Sequence, residues 1–147
     1  MSDVMNTTST RGELDSITVA EAMHTGILTC PLEASLRDVA RMMALYRVHA
    51  IVAFGEDSDD VEGAGLWGVI SDLDLVRAAV AGEIEDHTAG GIAATPALLI
   101  APDDTLHRAA RLMSEHEVTH AIVVDPESAR PVGVLSTLDV TRVLSAS

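Results

Sequence analysis

The sequence predicts an α/β protein of the α+β type, built from two tandem β-α-β-β-α units. Internal repetition carries that expectation. Gly68-Val69-Ile70-Ser71-Asp72-Leu73-Asp74, with Arg77 beyond it, returns as Gly133-Val134-Leu135-Ser136-Thr137-Leu138-Asp139, with Arg142 beyond it. The upstream blocks return in the same order. Val48-His49-Ala50-Ile51-Val52 answers Val118-Thr119-His120-Ala121-Ile122-Val123, with one residue more in the second copy. Leu36, Ala40, Arg41 and Met43 match Leu106, Ala110, Arg111 and Met113, and Pro31 and Pro102 precede them. A unit of about sixty residues is small for independent stability, so the two copies are expected to share one core.

The elements follow in order. Ile27 to Thr29 and Leu98 to Ile100 are short apolar stretches before a proline and suit brief strands. Leu36, Val39, Ala40 and Met43, like Leu106, Ala109, Ala110 and Met113, recur at helical spacing, with Ser35 and Thr105 as N-caps. Ala50 to Phe54 and Ala121 to Val124 are β-branched runs that read as buried strands, and Gly65 to Ile70 and Pro131 to Leu135 give the next ones. Final helices run from Asp72 to Ala81 and from Thr137 to Leu144. The expected divisions are a flexible Ser/Thr-rich segment over 1–16, a first repeat over 17–82, an acidic then Gly-rich linker over 83–91, and a second repeat over 92–145. The acidic loop from Glu56 to Gly63 has no counterpart in the second copy. It lacks the alternating ligands of a calcium loop and reads as a solvated hairpin tip.

Composition limits the function. The 147 residues carry a formal charge of −14, with nine Lys and Arg against 23 acids. No basic face is available to displace counterions from phosphates, so neither nucleic acid nor an anionic membrane is an expected partner. Trp67, Tyr46 and Phe54 are the only aromatics, which excludes a platform of stacked bases. Cys30 is the sole cysteine, which excludes an internal disulfide and suits a reducing compartment. It reads as a small semi-buried filler. No secretory signal pattern is evident in the first residues, and the expected location is cytoplasmic.

The β-α-β-β-α order ending in Gly-h-h-Ser-x-x-Asp, where h is apolar, resembles the CBS domain, and its duplication resembles the CBS pair, or Bateman module. The resemblance covers residues 17 to 145. It implies pseudo-twofold packing of the two repeats, with clefts that take adenosyl ligands such as AMP, ADP, ATP or S-adenosylmethionine. It also implies that Asp74 and Asp139 contact ribose hydroxyls, that Ser71, Ser136 and Thr137 sit near sugar or phosphate, and that His49 and His120 meet phosphate. Ile27, Leu28 and Thr29, with Leu98, Leu99 and Ile100, would frame the base. No cofactor, metal or catalytic group is implied, and a disc-like homodimer is.

The chemistry of the residues is compatible with that. A carboxylate accepts two hydrogen bonds from a ribose diol, and a helix N-terminus favours anions. Ser71-x-x-Asp74 and Ser136-x-x-Asp139 also have the form of capping boxes, and capping and binding can coexist. Arg77 and Arg142 are expected to pair with these aspartates at i,i+3 rather than touch a ligand. Scarce positive charge favours AMP, adenosine-like ligands or S-adenosylmethionine over ATP. His116-Glu117-Val118-Thr119-His120 matches the H-E-x-x-H zinc signature but leads into a strand, so it is not expected to form the motif's helix. His24, His87 and His107 read as surface or loop residues. The leading expectation is a stand-alone regulatory module that binds an adenosyl ligand and is not an enzyme. The alternative is a ligand-independent dimerisation or protein-interaction module acting on an unidentified partner, through Leu73, Val76 and Val80 with Leu138, Val143 and Leu144.

Overall fold

The structure is a computed structural model that describes residues 12–55, 66–93 and 97–146. Residues 1–11 of the expected flexible segment, and the acidic loop over 56–63, lie outside the described residues. Residues 12–16 are helical. In chain order the elements are α1 (Val19–Ala22), β1 (Thr29–Pro31), α2 (Leu36–Tyr46), β2 (Ala50–Gly55), β3 (Leu66–Ser71), α3 (Asp72–Val80), α4 (Ala89–Ile92), β4 (Leu99–Ile100), α5 (Leu106–Glu115), β5 (His120–Val124), β6 (Pro131–Ser136) and α6 (Thr137–Ser145).

The chain divides into two compact units. One is Ile27–Ala97; the other joins the residues up to Gly26 to those from Leu98 onward. Each holds a three-stranded sheet, β1-β2-β3 or β4-β5-β6. In each, the first strand runs parallel to the middle one and the third runs antiparallel to it. A parallel pair needs a crossover, which α2 and α5 supply, whereas an antiparallel pair needs only a turn.

In α2, Leu36, Val39 and Met43 fall on one side and are buried; in α5 the same positions are Leu106, Ala109 and Met113. Ser35 Oγ accepts the Asp38 N–H at 3.1 Å and Thr105 Oγ1 accepts the Arg108 N–H at 3.1 Å, as expected of N-caps. Both helices end alike. Arg47 and Glu117 take left-handed φ values of 56° and 53°, and the N–H groups of Val48 and Val118 close back on the carbonyls of Met43 and Met113. Around these helices the cores are aliphatic. Val39, Met43, Ile51 and Ile70 pack in one, and Ile100, Leu106, Met113, Val123 and Leu135 in the other. Full burial of such a side chain contributes about 1.5–3 kcal/mol.

Three expectations need correction. First, β1 occupies Thr29–Pro31 rather than Ile27–Thr29. Pairing does begin earlier, where the Leu28 carbonyl accepts the Val52 N–H at 3.1 Å, and Pro31 is tolerated because β1 is an edge strand. Second, the second copy has no extra residue before its central strand. Ala50 pairs with Ser71 and His120 with Ser136, so His120 corresponds to Ala50 and His49 to Thr119. The repeated Ala-Ile-Val string is offset by one place from the true register. Third, each repeat starts with a short helix that the β-α-β-β-α reading omits. Thr18 and Thr88 open these helices, α1 and α4, and each sits in the unit opposite to the repeat that follows it.

Backbone hydrogen bonds hold α1 and α4 in place. Val19 and Ala20 donate to the carbonyls of Asp104 and Pro102, both at 2.9 Å, and Leu106 donates to Ile17 at 2.8 Å. Correspondingly, Ala89 donates to Ala34 at 2.8 Å and Gly90 to Leu32 at 2.7 Å. Val19 and Ala89 are fully buried.

Candidate functional site

Each sheet delivers its third strand directly into a helix, and the Ser-x-x-Asp motif is that junction. Ser71 closes β3 with extended backbone and caps α3; Ser136 closes β6 and caps α6. Asp74 Oδ2 accepts the Ser71 backbone N–H at 2.8 Å and its hydroxyl at 3.1 Å, while the Asp74 N–H donates to Ser71 Oγ at 3.3 Å. The corresponding distances for Ser136 and Asp139 are 2.8, 3.0 and 3.2 Å. Both are complete capping boxes with Asp in the third helical position. The cap uses one carboxylate oxygen in each case.

The other oxygen distinguishes the two turns. Asp74 is partly exposed, and its Oδ1 has no partner among the described residues. Asp139 is 2 % exposed. Its Oδ1 lies 2.7 Å from His24 Nδ1 and 3.6 Å from Arg142 Nη1. The imidazole nitrogen sits at ion-pair distance without the geometry of a hydrogen bond, so Oδ1 is buried with no hydrogen-bond partner among the described residues. The expected i,i+3 pairing thus forms at Arg142; among the described residues Arg77 makes no such pair with Asp74.

His24 is exposed, as expected of a surface or loop residue, but its contact with Asp139 is one that sequence reasoning did not assign. Its own N–H and carbonyl exchange hydrogen bonds with Val134, at 2.9 and 3.0 Å, which pins the backbone against β6. Gly133 makes the approach possible: a Cβ there would meet the His24 carbonyl oxygen at 2.7 Å and Met23 Sδ at 2.5 Å. Counted from Thr18 and Thr88, the residue of the other repeat at this position is Ala94, whose methyl cannot pair with a carboxylate. Comparing the stretches after Thr18 and Thr88 is the sequence signal that would have found this difference.

The remaining sequence-predicted residues gather around the same ends of the sheets. In the Ile27–Ala97 unit, Leu28 pairs with Val52 at the start of β1, and Ile27 precedes it. Thr29 is exposed. His49 stands just before β2; its carbonyl accepts the Asp72 N–H at 2.9 Å and its Nδ1 lies 2.9 Å from Asp72 Oδ2. In the other unit the Leu98 carbonyl accepts the Ile122 N–H at 2.9 Å, Leu99 is exposed, and Ile100 is buried in the core. His120 opens β5 opposite Ser136, with Nδ1 2.9 Å from Thr119 Oγ1. Thr137 lines a separate groove of about 340 Å³ between α5 and α6, walled by Met113, Val118 and Val140.

The other sequence candidates resolve structurally. α5 ends at Glu115, Glu117 is left-handed and His120 begins a strand, so the H-E-x-x-H stretch does not share one helix. Among the described residues no cluster of three or more His, Cys, Asp or Glu is placed to hold a metal ion. Cys30 is 5 % exposed, and burial pushes its thiol pKa up. Leu73, Val76 and Val80 are exposed on α3, and Leu138 and Leu144 on α6, but Val143 packs against the core. No helix among the described residues is long and apolar enough to cross a membrane.

Comparison with known proteins agrees with this architecture. The CBS domain family model matches residues 19–81 and 89–146, so each match begins at the first residue of α1 or α4. No curated protein matches. Among solved structures, the CBS domain pair of protein MJ0100 in complex with 5′-methylthioadenosine and S-adenosyl-L-methionine is 19 % identical, with a TM-score of 0.73, covering 88 % of this chain and 96 % of that one. CBSX2 in complex with AMP is 20 % identical, with a TM-score of 0.68, covering 88 % and 97 %. An uncharacterized conserved protein from Pyrococcus horikoshii is 19 % identical, with a TM-score of 0.72, covering 87 % and 92 %. Duplicated sheets, paired Ser-x-x-Asp junctions and both family matches lead to one statement: the chain belongs to the CBS domain family, as a tandem pair of CBS domains.

Proposed function

We propose that this CBS pair is a regulatory, non-catalytic module that binds an adenosyl ligand at its Ser-x-x-Asp turns. The observation that carries the reading is the division of labour in the Asp74 carboxylate. Oδ2 is committed to the cap, while Oδ1 has no partner among the described residues, at a partly exposed helix start. An ionised carboxylate oxygen accepts hydrogen bonds from ribose hydroxyls more strongly than a neutral acceptor does. Ser71 and His49 would lie beside the sugar, and Ile27, Leu28 and Thr29 beside the base. Asp139, Ser136, Thr137 and His120, with Leu98, Leu99 and Ile100, are the candidates in the second repeat, where His120 stands one place beyond the position equivalent to His49. Fold neighbours that hold S-adenosylmethionine, 5′-methylthioadenosine or AMP support the ligand class.

Charge narrows it. The first turn of α3 carries Asp72 and Asp74, and His49 is already engaged with Asp72. A triphosphate meets repulsion there, whereas a sulfonium or a single phosphate meets less. S-adenosylmethionine and AMP are therefore favoured over ATP. The module acts as a cytoplasmic homodimer, with Leu73, Val76 and Val80 of α3 as its exposed apolar contacts.

Thermal unfolding with a panel of AMP, ADP, ATP and S-adenosylmethionine tests the reading. A ligand at a hundred times its Kd adds about 2.7 kcal/mol of stability. The expected result is a raised Tm with AMP or S-adenosylmethionine that Asp74→Ala abolishes. No shift with any of the four at millimolar concentration overturns it.

A further inference from the structure

We propose that His24 holds the Asp139 turn closed, so that the module takes its adenosyl ligand at the Asp74 turn alone until His24 is displaced; this rests on the adenosyl reading above. A ribose diol needs carboxylate lone pairs it can reach. At Asp139 none is reachable. Oδ2 is filled by the Ser136 N–H and hydroxyl, Oδ1 is flanked by His24 and Arg142, and the side chain is 1 % exposed. The His24 side chain is itself 53 % exposed, so it can leave toward solvent without unpacking a core. Its backbone is fixed by the paired hydrogen bonds to Val134, which returns the ring to the same place. The Asp74 turn has the same cap, has no Arg partner among the described residues, and has Ala94 in the sequence position of His24. The sequence itself carries part of the asymmetry: six residues after Thr18 comes a histidine, and six after Thr88 an alanine.

Isothermal titration of the full chain with AMP and with S-adenosylmethionine tests this. The expected stoichiometry is one ligand per chain for the native protein, lost in Asp74→Ala and retained in Asp139→Asn. In His24→Ala it rises to two, and Asp139→Asn on that background returns it to one. Two sites in the native protein, or a single site lost with Asp139→Asn and kept with Asp74→Ala, overturns the closure. So does a folded His24→Ala variant that still binds one ligand. If the native protein binds neither probe, the adenosyl reading fails instead. The closure is then read without ligand, from a double-mutant cycle between His24→Ala and Asp139→Asn in chemical denaturation. Coupling between the two supports the contact, and strict additivity overturns it.

Discussion

The Ser71–Asp74 and Ser136–Asp139 turns agree in every capping hydrogen bond to within 0.1 Å, yet one aspartate is partly open and the other sealed. The features that the two seven-residue repeats share do not account for that. The cause lies in the segment after α1, where His24 reaches Asp139, and in Gly133, which lets that segment lie against β6. A motif fixes the geometry of its own turn; the accessibility of its carboxylate is set by a neighbour more than a hundred residues away in the chain.

Several measurements would break or sharpen that contrast. The largest effects should fall equally on both units. Ile70→Ala and Leu135→Ala each empty a fully buried position, and each should cost about 2–5 kcal/mol in chemical denaturation. A much smaller loss for one would mean that the two cores are not equally packed. Gly133→Ala should destabilise by about 1–3 kcal/mol, because the new methyl meets the His24 backbone carbonyl as well as the more yielding Met23 side chain. That variant should also push His24 away and open the Asp139 turn to ligand. Asp139→Ala should cost about 2 kcal/mol and Asp74→Ala about 1 kcal/mol, since both lose the cap but only Asp139 is buried against His24. Equal losses would remove the energetic side of the comparison. The smallest effect concerns Cys30, whose raised pKa lowers the thiolate fraction at pH 8. Alkylation by iodoacetamide should be slow in the native protein and fast in urea; rapid labelling of the native protein would contradict its burial.

Much of this was legible locally. The amphipathic period of α2 and α5, their Ser35 and Thr105 caps and the two capping boxes are all short-range patterns, and each appears where the spacing puts it. What was missed is long-range. α1 and α4 have four residues each, too few for a period, and are held by backbone bonds to distant carbonyls that no side-chain pattern records. His24 is exposed, as expected, but its contact with Asp139 left no local pattern because that partner is far off in sequence. The pairing of His49 with His120 failed because similar apolar strings can slide by one residue without loss of hydrophobicity; only ladder register fixes them. Val143 faces inward where a simple apolar count left it free.

The crossed placement of α1 has a consequence for biosynthesis. Val19 leaves the ribosome early, but the core it fills is not complete until Leu135 has been made. At about 5–20 residues per second the nascent chain must carry that segment undocked for about ten seconds. The Ile27–Ala97 unit, a continuous stretch, has no such wait and can form first. Translation therefore hands the chain a finished half before the half that His24 guards can exist.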